Sequence, residues 1–84
     1  MGLYFITFRS VTYAQRGEKV LTKANIRANL MRTPRWMEEQ GCGYALKLWT
    51  NDIRVPLKLL REHNVQHRRI YMQKEDGTME EAAL

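Results

Sequence analysis

The chain of 84 residues has a single cysteine, two prolines and five glycines. No apolar run approaches the roughly 18 residues that a membrane-spanning helix needs. One cysteine excludes an internal disulfide and a cysteine-rich zinc site, so the fold must stand on packing alone. The opening Met1-Gly2-Leu3-Tyr4 lacks the basic segment and small-residue cleavage site of a secretory signal. Also missing are a glycine-rich phosphate loop, a paired acidic metal site and the spacing of a serine triad. These absences lead us to expect a reduced, soluble, cytoplasmic domain with no bound metal or cofactor and no membrane contact. At this mass a chain buries roughly 64% of its unfolded surface, enough for one thin core and not for two.

Charge is the feature in excess. Fourteen Lys and Arg oppose nine Asp and Glu, a net charge of +5. The last eleven residues, Lys74 to Leu84, hold one lysine against Glu75, Asp76, Glu80 and Glu81, a net −3. The first 73 residues therefore carry +8. We divide the chain accordingly into one domain, 1–73, and an acidic, frayed tail, 74–84. A basic body points to an anionic partner, whether nucleic acid, an acidic protein surface or a small anion. The plainer alternative is a solvated face that keeps a small protein in solution.

Hydrophobic periodicity predicts six elements. Leu3 to Phe8 is apolar on both faces and reads as a central strand. Ser10 or Thr12 caps the first helix, and Thr12 with Gln15 fits a reciprocal capping box. Ala14, Gly17, Val20, Leu21 and Ala24 share one stripe of it, and Asn25 suits a left-handed C-terminal residue. Arg27 to Arg32 alternates as a short strand with one wet face, ended by Thr33-Pro34. Tyr44 to Trp49 is the third strand. Asn51 or Asp52 caps a second helix through Ile53, Leu57 and Leu60, which begins late because Pro56 must stay near its first turn. Gln66 to Gln73 is the fourth strand, with Ile70 and Met72 inward and Tyr71 outward. The order β-α-β-β-α-β gives the expected fold: α+β, ferredoxin-like, a four-stranded antiparallel sheet with two helices on one face. Right-handed crossovers then place Cys42, in the polar loop before the third strand, near Arg9, Ser10 and Thr12.

Cys42 is the candidate reactive group. A helix N-terminus and nearby guanidinium groups favour a thiolate, and Gly41 and Gly43 strip side chains from both of its neighbours. Against this, most free cysteines are small buried hydrophobes, and Glu38 and Glu39 oppose ionisation. The aromatics Tyr4, Phe5 and Phe8 suit core packing or the stacking surface of an RNA-binding domain. Trp36 and Met37 suit a docking spot or a collapsed loop. His63 and His67 are four apart with a helix end between them, and with Cys42 they make a conceivable metal set, set aside for capping or solvated roles. Arg68-Arg69 reads as a solvated strand end.

The run Tyr4-Phe5-Ile6-Thr7-Phe8-Arg9-Ser10-Val11-Thr12-Tyr13-Ala14, then Glu18-Lys19-Val20-Leu21, Pro34-Arg35 and Gly41-Cys42-Gly43-Tyr44-Ala45-Leu46-Lys47, resembles the selenium/sulfur carrier-protein-like family of small bacterial domains. The resemblance spans residues 4 to 71. One departure is Glu38-Glu39-Gln40-Gly41 where family members commonly have serines before the cysteine. The resemblance implies a carrier rather than a turnover enzyme. Cys42 would accept a sulfane sulfur or selenium as a persulfide or selenopersulfide. The donor would be an enzyme such as a cysteine desulfurase or selenocysteine lyase, and the recipient a biosynthetic enzyme. Ser10 and Thr12 would supply hydrogen bonds, Arg9 and Arg35 charge, and Gly41 and Gly43 the loop. Two other readings stand beside it: a noncatalytic basic module binding RNA or a protein, and a regulatory domain forming a homodimer along its second strand.

Overall fold

A computed structural model describes residues 2–34, 36 and 43–82. Two helices and a five-stranded antiparallel sheet are formed, in the order β1 (Gly2–Phe8), α1 (Val11–Lys23), β2 (Ala28–Arg32), β3 (Tyr44–Thr50), α2 (Arg54–Glu62), β4 (Ile70–Gln73) and β5 (Met79–Glu81). The sheet runs β2-β3-β1-β4-β5. β1 is central because it is apolar on both faces, and it pairs with β3 from Gly2↔Thr50 to Phe8↔Tyr44 and with β4 from Leu3↔Gln73 to Ile6↔Ile70. The fifth strand corrects the expected four. Asp76 holds the turn before it, accepting from the Thr78 amide at 3.0 Å, and Gly77 takes φ +87°. This hairpin returns Met79–Glu81 along β4, with Lys74 bonded to Glu80 at 3.0 Å.

One sheet face carries the main core. Ile6, Phe8, Leu46, Leu48 and Ile70 from strands meet Ala14 and Leu21 of α1 and Leu57 and Leu60 of α2. Burying each large apolar side chain contributes roughly 1.5–3 kcal/mol. Gly17 allows the close approach of α1: a Cβ there would lie 3.2 Å from Phe8 and 3.3 Å from both Leu46 and Leu60. The opposite face carries a smaller cluster of Leu3, Phe5 and Tyr71, with Met31 and Met79 against it. Tyr71 is therefore on the outer face as expected but is buried there.

Local signals were read partly correctly. Ser10 caps α1, its Oγ accepting from the Tyr13 amide at 3.4 Å. Thr12 lies inside the first turn, so the Thr12–Gln15 capping box does not form. Asn25 is left-handed at φ 63°, whereas Ala24 is exposed rather than packed. α2 starts at Arg54 with Pro56 third, and Asp52 grips its start: Oδ1 accepts from the Arg54 amide and from Nε, each at 3.0 Å. That paired guanidinium holds the Asp52 carboxyl below the usual carboxylate range. Among the described residues no helix is long and apolar enough to cross a membrane.

Candidate functional site

The expected site residues divide into two groups. Arg35, Gly41 and Cys42 lie outside the described residues. Arg9, Ser10, Thr12 and Gly43 are described, and the register brings them to one sheet edge. Phe8, the last residue of β1, pairs with Tyr44, the first of β3, which also pairs with Arg32 at the end of β2. Gly43 and Arg9 are the next residues beyond those pairs. Gly43 is buried, and its carbonyl accepts from the Thr33 amide at 3.1 Å, closing the base of the β2–β3 connection. Thr33 adds a feature not anticipated from sequence: its Oγ1 is buried and has no hydrogen-bond partner among the described residues.

Arg9 and Thr12 are exposed, while Ser10 is half-buried and engaged in the cap. Arg9 lines a cleft of about 300 Å³ whose other walls are Tyr13, Gln66, His67, Arg68 and Arg69. Two adjacent strand residues normally point to opposite faces. The hydrogen bonds explain why Arg68 and Arg69 share one cleft. Thr7 donates its amide to the Arg69 carbonyl at 2.8 Å, yet its own carbonyl accepts from Arg68, also at 2.8 Å. The displaced Arg69 amide donates to Thr7 Oγ1 at 2.9 Å. Two residues thus stand opposite one, which is a β-bulge, and bulges re-aim side chains. The bulge also explains why strand geometry covers only Ile70–Gln73 of the expected Gln66–Gln73. The Arg68-Arg69 pair, read from sequence as a solvated end, is exposed as expected and also lines this cleft.

His67 is half-buried and also lines a second recess with Leu57, Arg61 and Val65. Burial, helped by the charge of Arg61, pushes its imidazole below the ordinary histidine range. His63 ends α2 as its C-cap. Among the described residues no group of three or more His, Cys, Asp or Glu side chains is arranged to hold a metal. Of the aromatics, Phe8 and Phe5 are core residues and Tyr4 packs against the core. Trp36 is 54% exposed but sets its ring edge-on to Tyr71, centroids 5.5 Å apart, and Trp49 on β3 is 57% exposed.

Comparison with known proteins adds one finding. A family model described as "Putative Se/S carrier protein-like" matches residues 3–72. No curated protein and no solved structure matches the chain.

Proposed function

The chain belongs to the Se/S carrier protein-like family, and from that premise we propose that it carries sulfur or selenium on Cys42. The observation that carries this reading is the family match over residues 3–72, which spans Cys42 and both flanking glycines. The first six elements, in β-α-β-β-α-β order with the sheet order β2-β3-β1-β4, fit the ferredoxin-like arrangement that we propose for the domain. In the chemistry, the Cys42 thiolate attacks the terminal sulfur of a donor persulfide. The donor's S–S bond breaks as the bond to Cys42 forms, the donor leaves as a thiolate, and no net oxidation occurs. Selenium delivered at the same oxidation level gives a selenopersulfide. A cysteine desulfurase or selenocysteine lyase is the proposed donor, a biosynthetic enzyme the acceptor, and the reducing cytoplasm the location.

Two features support the reading. The edge that holds Gly43 also holds Arg9 and the N-terminus of α1, and positive charge favours a sulfur anion. The Thr33 hydroxyl at the loop base, without a hydrogen-bond partner among the described residues, is a donor of the kind such an anion takes. The test is intact-mass spectrometry without reductant after incubation with each donor enzyme and its amino acid. The expected result is a gain of one sulfur or selenium atom on the wild type and none on Cys42→Ser. No adduct, with a thiol that alkylates only after unfolding, overturns the carrier reading. The binding-module reading has its own support in exposed Trp49 and the basic cleft. Salt-dependent RNA binding that survives Cys42→Ser would favour it.

A further inference from the structure

The cleft built by the bulge has an unusual charge balance for so small a volume. Among the described residues its lining has three arginines, one histidine, a tyrosine and a glutamine, and no carboxylate. The first turn of α1, between the cleft residues Arg9 and Tyr13, contains no acidic residue either. Because the first amides of a helix have no intrahelical acceptor, this end of α1 adds partial positive charge. Arg9 makes no ion pair or hydrogen bond among the described residues. Arg68 and Arg69 have contacts of their own, so Arg9 and His67 are the groups assigned to grip, with Arg68 and Arg69 as walls of the cleft. Glu81 of β5, opposite Tyr71, is the acidic residue that the sheet register brings toward this end, and it does not line the cleft.

Like charges gathered in a recess, rather than spread as a stripe, favour a compact anion over a long polyanion. Guanidinium groups present paired N–H donors that match the oxygens of a tetrahedral oxyanion, and Tyr13 adds a phenolic hydroxyl. We propose that the cleft of Arg9, Tyr13, His67, Arg68 and Arg69 binds a small phosphate-class oxyanion, either inorganic phosphate or the phosphoryl end of a small ester. The site is separate from Cys42 and goes beyond the carrier reading.

His67 reports on occupancy. In the free protein burial and Arg61 disfavour its charged form. The charged groups around it are Arg61 on α2 and Arg9, Arg68 and Arg69 in the cleft, with Tyr13 on α1. A bound phosphate offsets those cations, so it raises the His67 pKa.

The test is an NMR titration of the full chain at constant ionic strength with inorganic phosphate, glycerol phosphate or a short single-stranded RNA, followed at the His67 ring. The expected result is a saturable shift confined to the cleft and an upward move of the His67 pKa. Arg9→Gln, an exposed change, should weaken binding at least about tenfold. Arg27→Gln, at the far end of α1, should not. Tighter binding of glycerol phosphate than of phosphate would assign the ester as ligand; equal binding would assign the free oxyanion. Unchanged affinity in Cys42→Ser would show the cleft to stand whether or not the carrier reading does. Linear, non-saturating shifts would overturn the proposal. So would unchanged affinity in Arg9→Gln, or saturable binding of RNA alone.

Discussion

Replacing Thr7 by valine tests whether one hydroxyl holds the bulge that forms the cleft. Thr7 is 2% exposed, and valine matches its shape while deleting Oγ1. Oγ1 accepts from the Arg69 amide at 2.9 Å and donates to the Arg69 carbonyl at 3.3 Å. That carbonyl keeps the Thr7 amide as a donor, so its loss is small. The Arg69 amide loses its Thr7 hydroxyl acceptor, and the carbonyl it would meet in a regular ladder is taken by Arg68. A partly buried donor left unsatisfied costs about 1–3 kcal/mol, and the site's partial exposure puts the loss at about 1–2 kcal/mol. For a domain this small that lowers Tm by roughly 4–16 °C. Urea unfolding gives the stability, and amide exchange at Arg69 gives the mechanism. Thr7→Ser keeps the hydroxyl, so Arg69 should stay protected. Equal stability of Thr7→Val and wild type, with an unchanged Arg69 exchange rate, would refute the argument. Equal damage from Thr7→Ser would also refute it, because the methyl rather than the hydroxyl would then matter.

Three further outcomes follow from named contacts. Gly17→Ala gains about 1 kcal/mol of helix propensity but drives a methyl against Phe8, Leu46 and Leu60, all fully buried, where overpacking costs about 1–3 kcal/mol. A net loss near 1 kcal/mol is expected by urea melt, and a net gain would show that the core yields. Ser10→Ala removes the cap of α1, and since that bond is long and exposed the expected loss is about 0.5 kcal/mol, at the low end for caps. His67 has a folded pKa below its unfolded value of about 6.5, so the unfolded chain binds the proton first. Its contribution is therefore fully present above the unfolded pKa and is lost as pH falls through the unfolded toward the folded pKa. In phosphate-free buffer, wild type should lose more stability than His67→Gln between pH values of about 7.5 and 5.5, and equal losses would remove His67 from the account.

What was legible in the sequence was whatever local chemistry decides. The run Leu3–Phe8, apolar on both faces apart from Thr7, has no solvent face to offer, so it could only be central. Gly17 on an apolar helical stripe had to mark a close approach, and Asn25 after it had to turn the chain. The fifth strand was missed because Glu80 and Glu81 read as solvated, although Asp76-Gly77 is a strong hairpin signal that should have outweighed them. The cleft was beyond reach for another reason. It depends on Thr7 capturing an amide 62 residues away, and nothing near Arg68-Arg69 announces a bulge. Thr33 was silent for the same reason, since its orphaned hydroxyl exists only once β2 and Gly43 are closed together. Of the expected site, Arg9, Ser10, Thr12 and Gly43 come to one edge, and Arg35, Gly41 and Cys42 lie outside the described residues.

The cleft and Gly43 share one end of the sheet. Arg9 and Gly43 are each one residue past the last pair of adjacent strands β1 and β3. The Debye length at physiological ionic strength is about 8 Å, so charge within that distance of the sheet end is felt there before salt screens it. In sequence, Glu38 and Glu39 precede Cys42 and carry charge of the sign that disfavours a thiolate. On the proposed carrier reading, an oxyanion bound beside Arg9 offsets positive charge at the sheet end that holds Gly43, which disfavours a sulfur anion there.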